Sequence, residues 1–189
     1  MADRGLNTSD NIYYLNGDNK SDNNQRDGYV YGQSVRGADA EFKKWILSGG
    51  YKKDEIQDEH GAKISFTHKS RIHPKELHVN VTKPGQKKNV KKTVKTDQKQ
   101  MVYYSEKYAK KQKADREVMI TRAKDLIMHP KKYDKITSAG SAAYVLNIAF
   151  DKSTGEIVDG KNLELNLAKI EEEAKYDGYY SIVTSELNM

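Results

Sequence analysis

Ala2-Asp3-Arg4-Gly5-Leu6-Asn7-Thr8-Ser9-Asp10 places an acidic residue and a glycine where a strand would turn into a helix. Gly5 permits a sharp turn because glycine adopts backbone conformations that other residues avoid. One of the polar residues 7–9 can then cap a helix that carries Ile12 and Leu15 on one face. The stretch therefore predicts a strand end with an acid on it, followed directly by a helix.

The apolar pattern predicts further elements along the chain. Pro74 is predicted to separate two strands, and Lys83-Pro84-Gly85-Gln86-Lys87 predicts a turn into an arm that contains Val90 and Val94. Ser105 is predicted to cap a long helix that is exposed over its first half. The predicted elements are strands at 29–34, 64–68, 77–81, 143–150, 156–158 and 179–184, and helices at 38–47, 105–128 and 167–174.

Charge is distributed unevenly over the 189 residues, whose net charge is +6. Residues 83–135 hold 17 Lys and Arg against 6 Asp and Glu, whereas residues 1–62 and 151–189 are acidic. A basic middle indicates nucleic-acid contact, because neutralising a phosphate releases counterions. A solvated hairpin and helix rich in lysine are the alternative explanation.

Cysteine is absent from the sequence, which excludes disulfides and thiolate metal sites and fits a reducing cytoplasm. No apolar run approaches the roughly 20 residues that span a bilayer, and the first residues lack the features of a signal peptide. We therefore expect a soluble cytoplasmic protein with no membrane partner and no small-molecule substrate.

Four segments in order, besides the first, resemble insertion-sequence DDE transposases with a ribonuclease-H-like core. They are Gln33–Ala38 leading into Glu41–Trp45, Tyr103–Lys110, the Asp151–Gly155 hairpin and Glu173–Tyr180. The first stretch is similar to the subgroup whose second catalytic aspartate lies in an Ala-Asp-x-Gly-Leu-Asn-x-x-Asp-Asn pattern. The resemblance covers nearly the whole chain and implies a bacterial protein that associates with the nucleoid when bound to DNA.

The resemblance implies metal-dependent DNA cleavage and strand transfer, in which carboxylates hold two Mg²⁺ or Mn²⁺ ions. Asp3 matches the second carboxylate of the catalytic triad and is the predicted metal ligand. The first aspartate is expected upstream, and the glutamate, in a Tyr-x-x-Arg-x-x-x-Glu pattern, downstream. Glu186 lacks that pattern, and Asp10 and Asp177 are interpreted as turn or cap residues. The chain is therefore expected to be a transposase fragment that is inactive alone.

The expected fold class is α/β: a partial ribonuclease-H-like mixed sheet with an inserted subdomain of β-hairpins and a long helix. Residues 1–50 are assigned to the core, 51–135 to the basic insert and 136–189 to the return to the core sheet. Duplex DNA, as transposon ends and target, is the expected partner, and self-association stays open. The predicted phosphate contacts are Lys69, Arg71, Lys87, Lys88, Lys91, Lys92 and Lys95.

Two further functions compete with the transposase hypothesis. One is a non-catalytic DNA-binding protein that competes with intact transposase, and the other is a basic nucleic-acid-binding protein unrelated to transposition, with Asp3 as a cap. A metal site of His68, His73 and His78 is disfavoured because no carboxylate or cysteine accompanies them at ligand spacing.

Overall fold

The computed structural model describes residues 8–16, 28–57, 59–82, 89–130, 140–148 and 162–188. These residues form an α/β protein, as predicted, with a five-stranded sheet and four α-helices. The helices are α1 (Ser9–Leu15), α2 (Ala40–Leu47), α3 (Glu106–Met128) and α4 (Leu167–Ala174). The strands are β1 (Val30–Gln33), β2 (Lys52–Gln57), β3 (Lys63–Thr82), β4 (Asn89–Tyr104), β5 (Val145–Leu146), β6 (Glu164–Leu165) and β7 (Tyr179–Thr184).

The large sheet has the strand order β1-β7-β4-β3-β2, and each of these neighbouring pairs is antiparallel. The resemblance implied a mixed sheet, and the ribonuclease-H-like arrangement stays a prediction. β5 and β6 form a separate two-stranded sheet. None of the helices in the described ranges is both long and apolar enough to cross a bilayer.

The chain divides into two compact units, of which the first contains residues 1–105 and 179–189 and the second residues 106–178. These limits differ from the predicted boundaries after residues 50 and 135. β2, β3 and β4, which were assigned to an insert, pair in the same sheet as β1 and β7.

The core of the first unit lies on one face of the large sheet. From Lys69 onward, the odd-numbered residues of β3 are buried or half-buried and the even-numbered ones are exposed, as expected for a strand with one packed face. Ile12 and Tyr13 of α1 pack with Leu77 and Val79 on this face. We call the opposite face, which carries the even-numbered residues of β3, the open face.

β3 runs without a break through Pro74, so the predicted separation into two strands at this proline was wrong. In an antiparallel strand, alternate backbone N–H groups point to the same side. The N–H of Asn80, which has the same parity as Pro74, is donated to Asp10 of α1 and not to β4. The missing N–H of Pro74 would therefore point to the edge of β3 where β2 no longer pairs, so no bond to β2 is lost. Prolines are tolerated at such edges.

The second unit has its own core. Ala123 and Leu126 of α3 pack against Ala142, Tyr144 and Val145. Residues Gly140–Tyr144 form a 3-10 helix, so within the described part of the strand predicted at 143–150 only Val145–Leu146 is a strand. Residues 149 and 150 lie outside the described residues. Ala142 and Val145 are both buried in this core and lie three residues apart, which is the spacing of a 3-10 turn and not the alternation of a strand. The hairpin predicted at 151–158 and the turn predicted at 83–87 lie outside the described residues.

Candidate nucleic-acid interface

The lysines of β4 form the most basic exposed part of the large sheet. Lys91, Lys92 and Lys95 are exposed, and Lys99 is half-buried. Lys91, Lys95 and Lys99 lie on the open face, and Lys92 lies on the face packed by α1. Within the part of the chain that the structure describes, Lys95 is the only one of these four lysines that forms an ion pair; its partner is Glu76, at 3.2 Å. Because such an exposed pair contributes little to stability, Lys95 can exchange this carboxylate for a phosphate.

Lys69 has a different environment from the one that was predicted. Its side chain is only 6% exposed, and its ammonium lies over the rings of Trp45 and Tyr51, 4.9 and 4.4 Å from their centroids. It donates hydrogen bonds to the carbonyl oxygens of Trp45, Ser48 and Gly49 at the end of α2. Burial, followed by the nearby charge of Arg71, lowers the pKa of Lys69. Lys69 caps a helix and does not present its charge to a ligand.

Arg71 is also held by its neighbours. Its Nε donates to Oε1 of Gln100 at 2.7 Å, and Nη1 donates to Oε1 of Glu41 at 2.9 Å. The guanidinium packs 4.5 Å from the centroid of the Trp45 ring. This arrangement ties α2 to the sheet, so phosphate contact would require Arg71 to give up bonds that fix the helix.

The remaining predicted residues are placed as follows. Asp3, Lys87 and Lys88 lie outside the described residues. Asp177 pairs with Arg116 of α3 over 2.5 Å, and Glu186 is exposed after β7.

The three histidines do not share one set of partners. His68 contacts Asp54 at 2.6 Å, His73 lies 3.8 Å from Glu41, and His78 contacts Thr93 at 3.1 Å. His73 faces the packed side of β3, whereas the other two face the open side. Across the described parts of the chain, no group of three or more His, Cys, Asp or Glu side chains is close enough to hold a metal ion.

A row of aromatic residues on the open face was not predicted. The row consists of His68 on β3, Tyr103 on β4 and Tyr180 on β7, each opposite the next. Lys52 on β2 lies opposite His68 and ends the row on that side. The ring centroids of His68 and Tyr103 are 5.9 Å apart, and those of Tyr103 and Tyr180 are 5.2 Å apart with planes only 12° from parallel. Burial raises the pKa of both tyrosines. Tyrosine abundance was visible in the sequence, but the register that aligns these rings was not.

The first half of α3 adds a second basic surface, in the second unit. Lys107, Lys110, Lys111 and Lys113 are exposed, which confirms that this part of the helix faces solvent. Two residues of the same half hold the helix in its unit: Gln112 accepts the backbone N–H of Gly178 at 2.7 Å, and Arg116 pairs with Asp177.

No protein-family model, no curated protein and no solved structure matches this chain. The transposase hypothesis is therefore supported only by the resemblance of the sequence segments.

Proposed function

We propose that this chain is part of a DDE transposase and binds the phosphates of duplex DNA through the lysines of β4. The observation that carries the DNA-binding part is the exposure of Lys91, Lys92 and Lys95 within five residues of one strand. Cations at fixed positions on a rigid strand neutralise phosphates without reading the base sequence.

Two of the predicted phosphate contacts, Lys69 and Arg71, are left out of the proposed interface. Both side chains bind α2 to the sheet. We therefore assign the phosphate contacts to Lys91, Lys92 and Lys95, in the part of β4 that precedes its pairing with β7. Lys91 and Lys95 are four residues apart on one face, which separates their attachment points by about 13 Å at ~3.3 Å per residue. Lys92 lies on the opposite face, so the strand contacts DNA along its edge as well as its open side.

The catalytic part of the proposal rests on the sequence pattern around Asp3. Asp3 would supply one of three carboxylates that hold two Mg²⁺ or Mn²⁺ ions, which activate the attacking oxygen and stabilise the leaving one. One carboxylate does not hold two such ions against water, so these 189 residues by themselves are expected to be inactive. Mn²⁺-dependent nicking by the purified chain that disappeared in Asp3→Ala would contradict this expectation.

The test of DNA binding measures the affinity for a fluorescent duplex between about 50 and about 200 mM salt. The variant replaces Lys91, Lys92 and Lys95 with Gln. We expect weaker binding and a less steep salt dependence, because each phosphate that is no longer neutralised reduces the logarithmic slope by roughly 0.9.

The matched control replaces Lys44, Lys53 and Lys63 with Gln, because these lysines are exposed in the same unit and the change in net charge is the same. Equal loss of affinity in both variants would indicate a general charge effect and would contradict an interface on β4.

The alternative function is a DNA-binding protein without catalysis, which competes with an intact transposase. This alternative has the same lysine interface, and it differs only in that Asp3 is not a catalytic metal ligand. Restoring cleavage by adding the missing parts of the catalytic domain, and losing it again in Asp3→Ala, would favour the transposase.

A further inference from the structure

The outer edge of β1 ends the large sheet on one side, and no strand in the described ranges pairs with it. The carbonyl oxygen of Tyr29 accepts the N–H of Ser185, and that of Gln33 accepts the hydroxyl of Ser181. The odd-numbered residues 29–33 thus point their backbone groups toward β7. Because this direction alternates along an antiparallel strand, the N–H and C=O groups of Val30 and Gly32 point outward. The edge therefore presents backbone donors and acceptors to a further strand.

This edge lacks the protection that the other unpaired edges of the described sheet have. Proteins protect such edges with charged side chains, prolines or covering segments, because an unprotected edge pairs with another chain. β1 consists of Val-Tyr-Gly-Gln and has neither a charge nor a proline. The protecting residues elsewhere are Lys52, Lys53, Asp54 and Glu55 on β2, Pro74 and the α1 residue Asp10 along β3, and Lys91, Lys92 and Lys95 on β4. Among the described edges, β1 is therefore the one that another strand joins without meeting a charge or a proline.

The open face of β1 has a raised position and an empty one, two residues apart. Val30 is 43% exposed, whereas a Cβ atom added at Gly32 would meet no heavy atom within 4 Å outside the neighbouring residues of the chain. Both lie on the open face, because they pair with Thr184 and Ile182 of β7. A second β1 that runs antiparallel, with Val30 opposite Gly32, places the valine of each copy beside the glycine of the other. The edge is thus complementary to itself, as a two-fold interface requires.

We propose that β1 pairs antiparallel with β1 of a second copy of this chain, with Val30 of each copy opposite Gly32 of the other. The two large sheets then form one continuous sheet, and the outward backbone groups of both residues bond between the copies. Residues 29–34 carry no charge, so two copies with a net charge of +6 meet there without opposing like charges. A strand of another protein would match this edge only if it had its own apolar and small residues in the same order.

The proposed contact is small, because β1 has only four residues. Stable interfaces bury at least ~1,200 Å², and one short strand edge buries less. We therefore expect a weak dimer, with a Kd between roughly 10 μM and 1 mM. Sedimentation equilibrium over this concentration range, in the absence of DNA, measures it.

The register is tested by disulfide formation, which is specific because the chain contains no cysteine of its own. Val30→Cys and Gly32→Cys are prepared as separate chains and mixed under mild oxidation. In the proposed register their Cα atoms lie about 5.5 Å apart, which a disulfide spans. Two copies of the same variant hold their cysteines about 8 Å apart, which is too far. The mixed disulfide should therefore form at least about tenfold faster than either symmetric one, and Ile72→Cys on β3 gives the background rate.

Two variants without cysteine test the backbone bonds and the side chains separately. Gly32→Pro removes an outward N–H and no bond to β7, and Val30→Lys places a charge on the edge. Each should raise the Kd at least about tenfold, because the two-fold axis doubles every loss. Ile72→Lys is the matched control, since Ile72 is an exposed apolar residue of the same open face, and its Kd should not change. Thermal midpoints show which variants are folded, and Val30→Lys decides if Gly32→Pro is not.

A chain that stays monomeric up to about 1 mM and forms no mixed disulfide overturns the proposal and leaves the edge to a strand of another protein. A dimer whose Kd is the same in Val30→Lys and in the unaltered chain also overturns it, because the contact then lies elsewhere. Faster self-coupling of Gly32→Cys would contradict the register and centre the axis on that residue. None of these measurements contains DNA, so their failure is distinct from a failure of the lysine interface on β4.

Discussion

The carboxylate of Asp10 accepts a hydrogen bond from the backbone N–H of Asn80 over 2.9 Å. This bond connects the first turn of α1 to the edge of β3 beyond His68, along which none of the described strands pairs. Unpaired strand edges are sites where other chains add on, and proteins protect them with side chains, prolines or covering segments. Asp10 and Pro74 protect the same edge in two of these ways.

Replacing Asp10 with Ala should destabilise the first unit by about 1 kcal/mol, because the N–H of Asn80 loses its partner within the protein. Asp10→Asn keeps an acceptor oxygen, so its free energy of unfolding should fall by only about 0.3 kcal/mol, because a negative charge near the start of α1 is lost. Urea denaturation measures both variants. Equal stability of Asp10→Ala and the unaltered chain would show that water replaces this bond without cost.

Lys69→Met should lower the free energy of unfolding by about 2 kcal/mol, since several carbonyl oxygens at the end of α2 lose a charged donor. Methionine keeps the packing of the stem against the rings of Trp45 and Tyr51. Lys53→Met is the control because Lys53 lies on the same face of the sheet, on β2, and is exposed. A loss in Lys69→Met no larger than in this control would contradict the role of Lys69 as a helix cap.

Lys69 shows where prediction from sequence reached its limit. A lysine in a basic β segment predicts a phosphate contact, but its ammonium bonds to residues 20 to 24 positions earlier in the chain. A contact of this kind between a strand and a helix leaves no periodic pattern of residue types in the sequence. Likewise, the alignment of His68, Tyr103 and Tyr180 depends on strand register, which the apolar pattern restricts only to one face or the other.

Local signals were sufficient elsewhere. Helix α4 and strand β7 have the predicted limits, Leu167–Ala174 and Tyr179–Thr184. Gly178, in the turn between them, has a φ of +86°, which is why the Asp-Gly pair marked the turn. Elements that are defined by caps and turn residues could be predicted, whereas the contacts between elements could not.

Arg116 and Asp177 form a buried pair in the second unit, with Nη1 and Oδ1 2.5 Å apart. Removing one partner leaves a charge without compensation, so Arg116→Met should destabilise this unit by roughly 3 kcal/mol. The double variant Arg116→Met with Asp177→Asn should lose less than the sum of the single losses. A double-mutant cycle of urea denaturation curves measures this coupling, and strictly additive losses would contradict it.

Burial of Tyr31 predicts that the protein loses stability in alkali. Its O–H donates to Oε1 of Gln98 at 3.2 Å, and burial, followed by the nearby Tyr29, raises its pKa well above the ordinary value of 10.0. Between that value and the raised pKa, the unfolded chain gives up the phenolic proton and the folded chain keeps it. The stabilisation is therefore complete below about pH 10 and declines as the pH rises beyond it.

Comparison with Tyr31→Phe isolates this effect, because the lowered pKa of Lys69 acts in the opposite direction in both proteins. At neutral pH the variant should be less stable by about 1 kcal/mol, since Gln98 loses its donor. Urea midpoints measured from about pH 8 to about pH 11 should converge, and tyrosinate absorbance should show ionisation together with unfolding. A difference in stability that stays constant across this range would mean that Tyr31 ionises equally easily in both states.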